Sequence, residues 1–178
     1  MNRGPRVAET RLARRSDSTV EVLVDGAGPL VLMIPSLGRG AEDFEDLSRA
    51  VVKAGYRVGR LQPRGIGRST CVMEGLSLLD LAEDAAAGIE AAGKGPAVVL
   101  GHAFGQRVAR MIATTHPSIV RAVVMLGAGG RVPVEPGITA ALADVFDEGL
   151  SPARHLEAVR LVFLLLAMTR PSGALAGT

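Results

Sequence analysis

Ala97-Val98-Val99-Leu100-Gly101-His102-Ala103-Phe104-Gly105 decides the fold of this 178-residue chain. A short apolar strand, Ala97–Leu100, runs directly into a turn bounded by Gly101 and Gly105, and a helix follows over Phe104–His116 until Pro117 stops it. The spacing is that of a Gly-x-Ser-x-Gly elbow, a tight strand-to-helix turn that lifts its central side chain above a sheet while the glycines let strand and helix approach. Here the central residue is Ala103. A methyl group has no lone pair and no proton to lose, so position 103 supports no covalent catalysis. An Ala at positive φ costs about 1–2 kcal/mol. An elbow held at that cost without a hydroxyl favours a retained pocket over simple decay.

Outward from the elbow, strands and helices alternate. Val20–Val24 reads as a strand, followed by the turn Asp25–Pro29 and the continuous apolar run Leu30–Ile34, the pattern of a strand covered on both faces. Phe44, Leu47 and Val51 mark one face of a helix over Ala41–Ala54, which Gly55 ends, and a strand over Tyr56–Leu61 follows. Ser77 and Asp80 have capping-box spacing, and Leu78, Leu81, Ala85 and Ile89 then define the buried face of a helix ending at Gly93. Val120–Leu126 is the last strand of the series. This order predicts a three-layer α/β architecture, a mostly parallel sheet with helices on both faces. Beyond the Gly- and Pro-rich Gly127–Pro136, Ile138–Phe146 and a helix capped by Ser151-Pro152, with Leu156, Val159 and Phe163 on one face, read as a helical cap. The expected organisation is a basic arm over 1–19, a partial core over 20–132, a cap segment over 133–165 and an irregular tail over 166–178.

Composition narrows the function classes. Hydrophobic residues are 48% and charged residues 21%, an ordinary soluble balance, but aromatics are only 3% and Trp is absent, so platforms for stacking nucleotides are lacking. Arg3, Arg6, Arg11, Arg14 and Arg15 crowd the first fifteen residues. Without interleaved aromatics they read as a solvated, partly disordered arm, so neither a nucleic-acid nor a membrane partner is expected. Cys71 is the only cysteine, which excludes an intramolecular disulfide and fits a reducing, cytoplasmic setting. The N-terminus carries charge but no apolar signal-peptide region, and Leu161–Met168 is far below the ~20 residues a membrane span requires. No phosphate-cradling glycine motif is present, and three His and one Cys are scattered without ligand spacing. Neither a metal nor another cofactor is expected.

Taken together, residues 20–165 resemble the α/β-hydrolase superfamily. Val31-Leu32-Met33-Ile34-Pro35-Ser36-Leu37-Gly38 stands where that family has its His-Gly strand and turn, with Pro35-Ser36 in place of His-Gly. The resemblance assigns one oxyanion donor to the Leu37 N–H and the other to the Phe104 N–H, with Pro35 and Ser36 lining the pocket. Pro63-Arg64-Gly65-Ile66-Gly67-Arg68-Ser69 resembles the family's Arg-Gly-x-Gly-x-Ser loop, and Gln62 stands where an Asp is usual. Within the elbow, Gly101, His102 and Gly105 flank the inert Ala103. The family's triad runs Ser, acid, His, the last two on later strands, and no position here matches them. His155, Asp144 and Asp147 follow the elbow but fall on the cap helices. His102 reads as a structural elbow residue, with proton chemistry near the pocket as its alternative, and His116 as a solvated helix end. Ser36 reads as a turn residue, with a substitute nucleophile as its alternative, and Cys71 as a loop or packing residue.

The resemblance implies kinship with hydrolases of small organic esters or similar bonds, impaired by loss of the nucleophile and of the expected Asp and His. A non-catalytic small-ligand-binding or regulatory module and an engineered Ser-to-Ala esterase are the alternatives. The segment from Leu164 onward has neither acidic residues nor strand alternation, and reads as the tail of a truncated or frame-shifted chain, with a genuine short protein as the alternative. Val120–Leu126 would then be an unpaired apolar sheet edge, open to self-association.

Overall fold

The computed structural model describes residues 8–71, 74–93, 95–127, 136–145, 147 and 149–161. They fall into two compact units, residues 1–129 and 130–178. In the first unit, β1 (Glu9–Arg14), β2 (Ser18–Gly26) and β3 (Leu30–Ile34) precede a 3-10 turn (Ala41–Phe44) that leads into α1 (Glu45–Lys53). There follow β4 (Arg57–Leu61), β5 (Thr70–Cys71), α2 (Leu78–Ala92), β6 (Ala97–His102), α3 (Gly105–Thr115), a short 3-10 turn (Pro117–Ile119) and β7 (Val120–Leu126). The strands form one sheet in the order β1-β2-β4-β3-β6-β7, with β5 pairing β2 off that path. β3 lies parallel to β4 and to β6, and β6 parallel to β7, whereas β1, β4 and β5 all pair antiparallel with β2. This is the expected mostly parallel α/β sheet.

Strand alternation sends β3 side chains to two cores. Leu32 and Ile34 join Val20, Val22 and Val99 beneath Ala85 and Ile89 of α2 and Val108 and Ile112 of α3. On the other face Val31 and Met33 join Val58, Leu100 and Phe44, with Val51 of α1 packed against them. Helices therefore cover both faces, and each fully buried Leu, Ile or Val contributes roughly 1.5–3 kcal/mol. α2 starts as its sequence predicts: the Ser77 Oγ accepts from the Asp80 N–H, and the Asp80 carboxylate accepts from the Ser77 N–H at 2.8 Å.

Some expectations need correction. The solvated arm is ordered from Glu9 onward, because β1 pairs with β2 from Glu9↔Val24 to Arg14↔Thr19. Two of its arginines find acceptors on the fold rather than in solvent: Arg11 donates to the Ala91 carbonyl at 2.8 Å, and Arg15 to Asp84 at 3.1 Å. Helix Ala41–Ala54 divides into the 3-10 turn and α1, leaving Leu47 36% exposed instead of on the buried face. β5 was unforeseen, since two residues are too few to show alternation.

The second unit contains α4 (Pro136–Val145) and α5 (Pro152–Arg160), which pack together. Ala141 of α4 and Ala158 of α5 are buried. Pro152 opens α5, and the Ser151 Oγ accepts from the Arg154 N–H, as the cap residues predicted. Leu156 is 51% exposed. Phe146, Phe163 and the tail over 166–178 lie outside the described residues. Among the described residues no helix is long and apolar enough to cross a membrane.

Candidate active site

The parallel pairing of β3 with β6, with Ile34 opposite Gly101, brings the carboxyl ends of both strands to one edge of the sheet. The two loops that leave this edge are the Pro35–Gly40 turn and the elbow. Ala103 has φ +47°, the only non-glycine at positive φ among the described residues, so the turn adopts the elbow conformation without its hydroxyl. The Ala103 N–H donates to the Leu126 carbonyl at 2.8 Å, which ties the elbow to the end of β7.

Both elbow glycines are required by close approach. A Cβ on Gly105 would collide with the Ile34 carbonyl oxygen and lie 2.5 Å from that of Pro35. One on Gly101 would collide with the Gly105 carbonyl and lie 2.5 Å from the Gln106 nitrogen. The elbow is thus pressed directly onto the strand end that carries Leu37.

Around Ala103 the expected site residues take distinct places. Pro35 is fully buried, Ser36 is half-buried with its carbonyl accepting from the Arg39 N–H at 3.1 Å, and Leu37 is 54% exposed. Phe104 precedes the first residue of α3 and packs against the core. Neither the Leu37 nor the Phe104 backbone N–H donates a hydrogen bond to a described residue. The half-buried His102 lies against Gly127, its Cδ2 and Nε2 each 3.6 Å from where a Gly127 Cβ would stand.

Charged groups border the same edge. Arg39 clamps Asp43 through Nε at 2.8 Å and Nη2 at 2.6 Å. That hydrogen bonding holds the Asp43 carboxyl below the usual range against the opposing effect of burial, with smaller pulls from the charges of Arg39 and His102.

The remaining predicted residues lie apart from the elbow or outside its chemistry. His116 is a half-buried contact rather than a solvated helix end: its Nε2 is 3.3 Å from Glu83 and its Nδ1 2.8 Å from the Thr115 hydroxyl. In the second unit Asp144 pairs with Arg154 at 3.4 Å, Asp147 accepts from the Gly149 N–H, and the His155 N–H donates to Ser151. Cys71 ends β5. A cavity of about 510 Å³, lined by Arg14, Arg15, Glu83, Glu90, His116 and Ile119 among others, includes no elbow residue in its lining. Among the described residues no cluster of three or more His, Cys, Asp or Glu could hold a metal ion.

Two polar networks of the loop that follows β4 were not foreseen. Buried Arg64, from the Arg-Gly-x-Gly-x-Ser loop, reaches Asp84 of α2 through Nε at 2.5 Å and Nη2 at 3.0 Å, and Asp17 at 3.2 Å. Hydrogen bonding to Asp84 raises the Arg64 pKa above its ordinary value against the cost of burial. Gln62 is buried between the same loop and the 3-10 turn. Gln62 and Arg64 both follow β4 closely, but their partners lie twenty or more residues away and leave no local pattern. Gln106 is buried in the first turn of α3, and its Oε1 has no partner among the described residues.

Residues 29–154 match the sequence profile of the alpha/beta hydrolase fold family. The chain belongs to the α/β-hydrolase family. Among its relatives, the 2-(acetamidomethylene)succinate hydrolase of Mesorhizobium japonicum is 30% identical over 118 residues, 65% of this chain and 42% of that enzyme. The polyketide synthase ThaQ of Burkholderia thailandensis is 35% identical over 123 residues, 65% of this chain and 6% of the synthase. An epoxide hydrolase from Vigna radiata superposes with a TM-score of 0.63 at 22% identity, over 88% of this chain and 46% of that one, a likeness of fold alone. The α/β-hydrolase chain described here therefore spans less than half the length of these two hydrolases.

Proposed function

We propose that this α/β-hydrolase chain binds a small carbonyl-bearing molecule at the elbow and does not hydrolyse it through a covalent intermediate. The observation that carries this reading is Ala103 held at φ +47° beside backbone donors that have no described partner. Strain of about 1–2 kcal/mol is maintained at a residue with no nucleophilic atom, which favours a site kept for binding. The Leu37 and Phe104 N–H groups are the proposed donors to the ligand oxygen, with Pro35 and Ser36 as the pocket wall. Loss of a serine nucleophile costs roughly 10⁶-fold in turnover in a serine protease, while donors and binding alone retain only ~10³–10⁴ over water. Hydrolysis by this route is then marginal, and kinship with hydrolases describes the scaffold rather than a working reaction.

The test is titration of the ¹⁵N-labelled chain with butyramide, a neutral carbonyl probe. The expected result is saturable movement of the Leu37 and Phe104 amide resonances. Titration that leaves both unmoved contradicts the reading.

A further inference from the structure

We propose that Gln62 and Glu42 form a positioning pair that fixes the Pro35–Gly40 turn and with it the Leu37 N–H. The inference rests on the reading that Leu37 is a ligand donor, but the pair itself stands on separate geometry. Gln62 immediately follows β4 and is 4% exposed. Its Oε1 accepts from the Ala41 N–H at 2.9 Å, and its Nε2 donates to Glu42 Oε1 at 2.8 Å. The backbone of Gln62 is fixed as well. Its N–H donates to the Glu21 carbonyl at 2.9 Å, and its carbonyl accepts from the Ser69 hydroxyl at 2.8 Å. That hydroxyl in turn accepts from the Glu21 N–H at 2.9 Å.

Two glycines enclose the amide. A Cβ on Gly40 would lie 2.9 Å from Gln62 Oε1 and collide with the Glu42 carboxylate, and one on Gly67 would lie 3.2 Å from Gln62 Nε2. The Ser36–Arg39 turn and the Arg39–Asp43 pair close the 36–43 segment upon itself. The Gln62 bonds instead attach that segment to the sheet.

The polarity of the pair is specific. An amide offers an acceptor to Ala41 and a donor to Glu42 at once, whereas a carboxylate at position 62 would satisfy Ala41 but face Glu42 with like charge. Losing the side chain leaves the Ala41 N–H, on a fully buried residue, without its partner. Gln62 in place of the Asp usual in the family is thus matched to Glu42, and exchanging the two groups should preserve the contact.

The experiment compares the full chain with Gln62→Met, Gln62→Glu and the exchange Gln62→Glu/Glu42→Gln, reading Ala41 amide exchange and the Leu37 amide order parameter without ligand. The parent is expected to give a rigid Leu37 amide, with an order parameter of about 0.85 despite its exposure. Gln62→Met should speed Ala41 exchange at least roughly tenfold and lower the Leu37 value towards ~0.6, Gln62→Glu should fall between, and the exchange should restore the parent values. Gly40→Ala, which intrudes on the pair from the other side, should reproduce the Gln62→Met result and replaces it if that variant does not fold. A Leu37 amide equally rigid in Gln62→Met or Gly40→Ala overturns the proposal, as does an exchange variant no better than Gln62→Glu. Because no ligand enters, failure of butyramide to bind would refute the proposed function and leave this result intact.

Discussion

At φ +47° the Ala103 backbone sits where a β-carbon crowds the following carbonyl, and relieving that crowding tests how firmly the elbow is built. Ala103→Gly should stabilise the chain by about 0.5–1 kcal/mol in urea titration, the strain removed less the entropy Gly adds to the unfolded state. Gly105→Ala should do the reverse. Its Cβ meets backbone oxygens of Ile34 and Pro35 that cannot step aside like a flexible side chain, so a loss of about 3 kcal/mol is expected by the same titration. The elbow was legible in the sequence because these constraints act within a few residues and admit few side chains. The Gln62–Glu42 contact was not, because a buried amide declares its donors and acceptors only when the fold brings the partner across.

Among the elements, α2 shows what local chemistry can announce. The Ser77–Asp80 capping box was readable from spacing, and hydrogen bonding from Ser77 holds the Asp80 carboxyl below the ordinary 3.8. A carboxyl with a depressed folded pKa stabilises the fold above its unfolded value, and that contribution is lost as pH falls through the lower folded value. The Asp80 carboxyl resonance should therefore titrate below pH 3.8, and Ser77→Ala should move its midpoint up towards that value. The opposite case is Asp84, within the same helix. It accepts from Arg64, Arg15 and the Ser18 hydroxyl, contacts made across long separations that no helical pattern reveals. Asp84→Ala leaves the buried Arg64 with its main partner gone and should cost about 3–5 kcal/mol in chemical denaturation. β1 escaped the sequence reading for a related reason. Its Arg11 looked solvated, yet it donates to the Ala91 carbonyl, and only Ala13 of the strand is buried.

At the scale of the whole molecule, the alternation of strands and helices sufficed to give the three-layer α/β architecture, since Leu30–Ile34 and Ala97–Leu100 are apolar on both faces and demand helices on each. The strand order β1-β2-β4-β3-β6-β7 was not legible in the sequence, because it depends on pairings between distant segments. The architecture places the elbow, the Pro35–Gly40 turn and the Arg39–Asp43 pair along one edge of the sheet. What such an edge does is decided by the single side chain at its centre. That a fold of this family stands built but chemically inert at position 103 is our proposal. Its most direct test is p-nitrophenyl acetate turnover by the soluble, folded chain, with Ala103→Ser measured beside it. No rate above blank is expected for the Ala103 chain, and none for Ala103→Ser, because among the described residues the histidine paired with a carboxylate is His116, with Glu83, and none so paired stands at the elbow to activate the new hydroxyl. Saturable turnover by the Ala103 chain itself would contradict it.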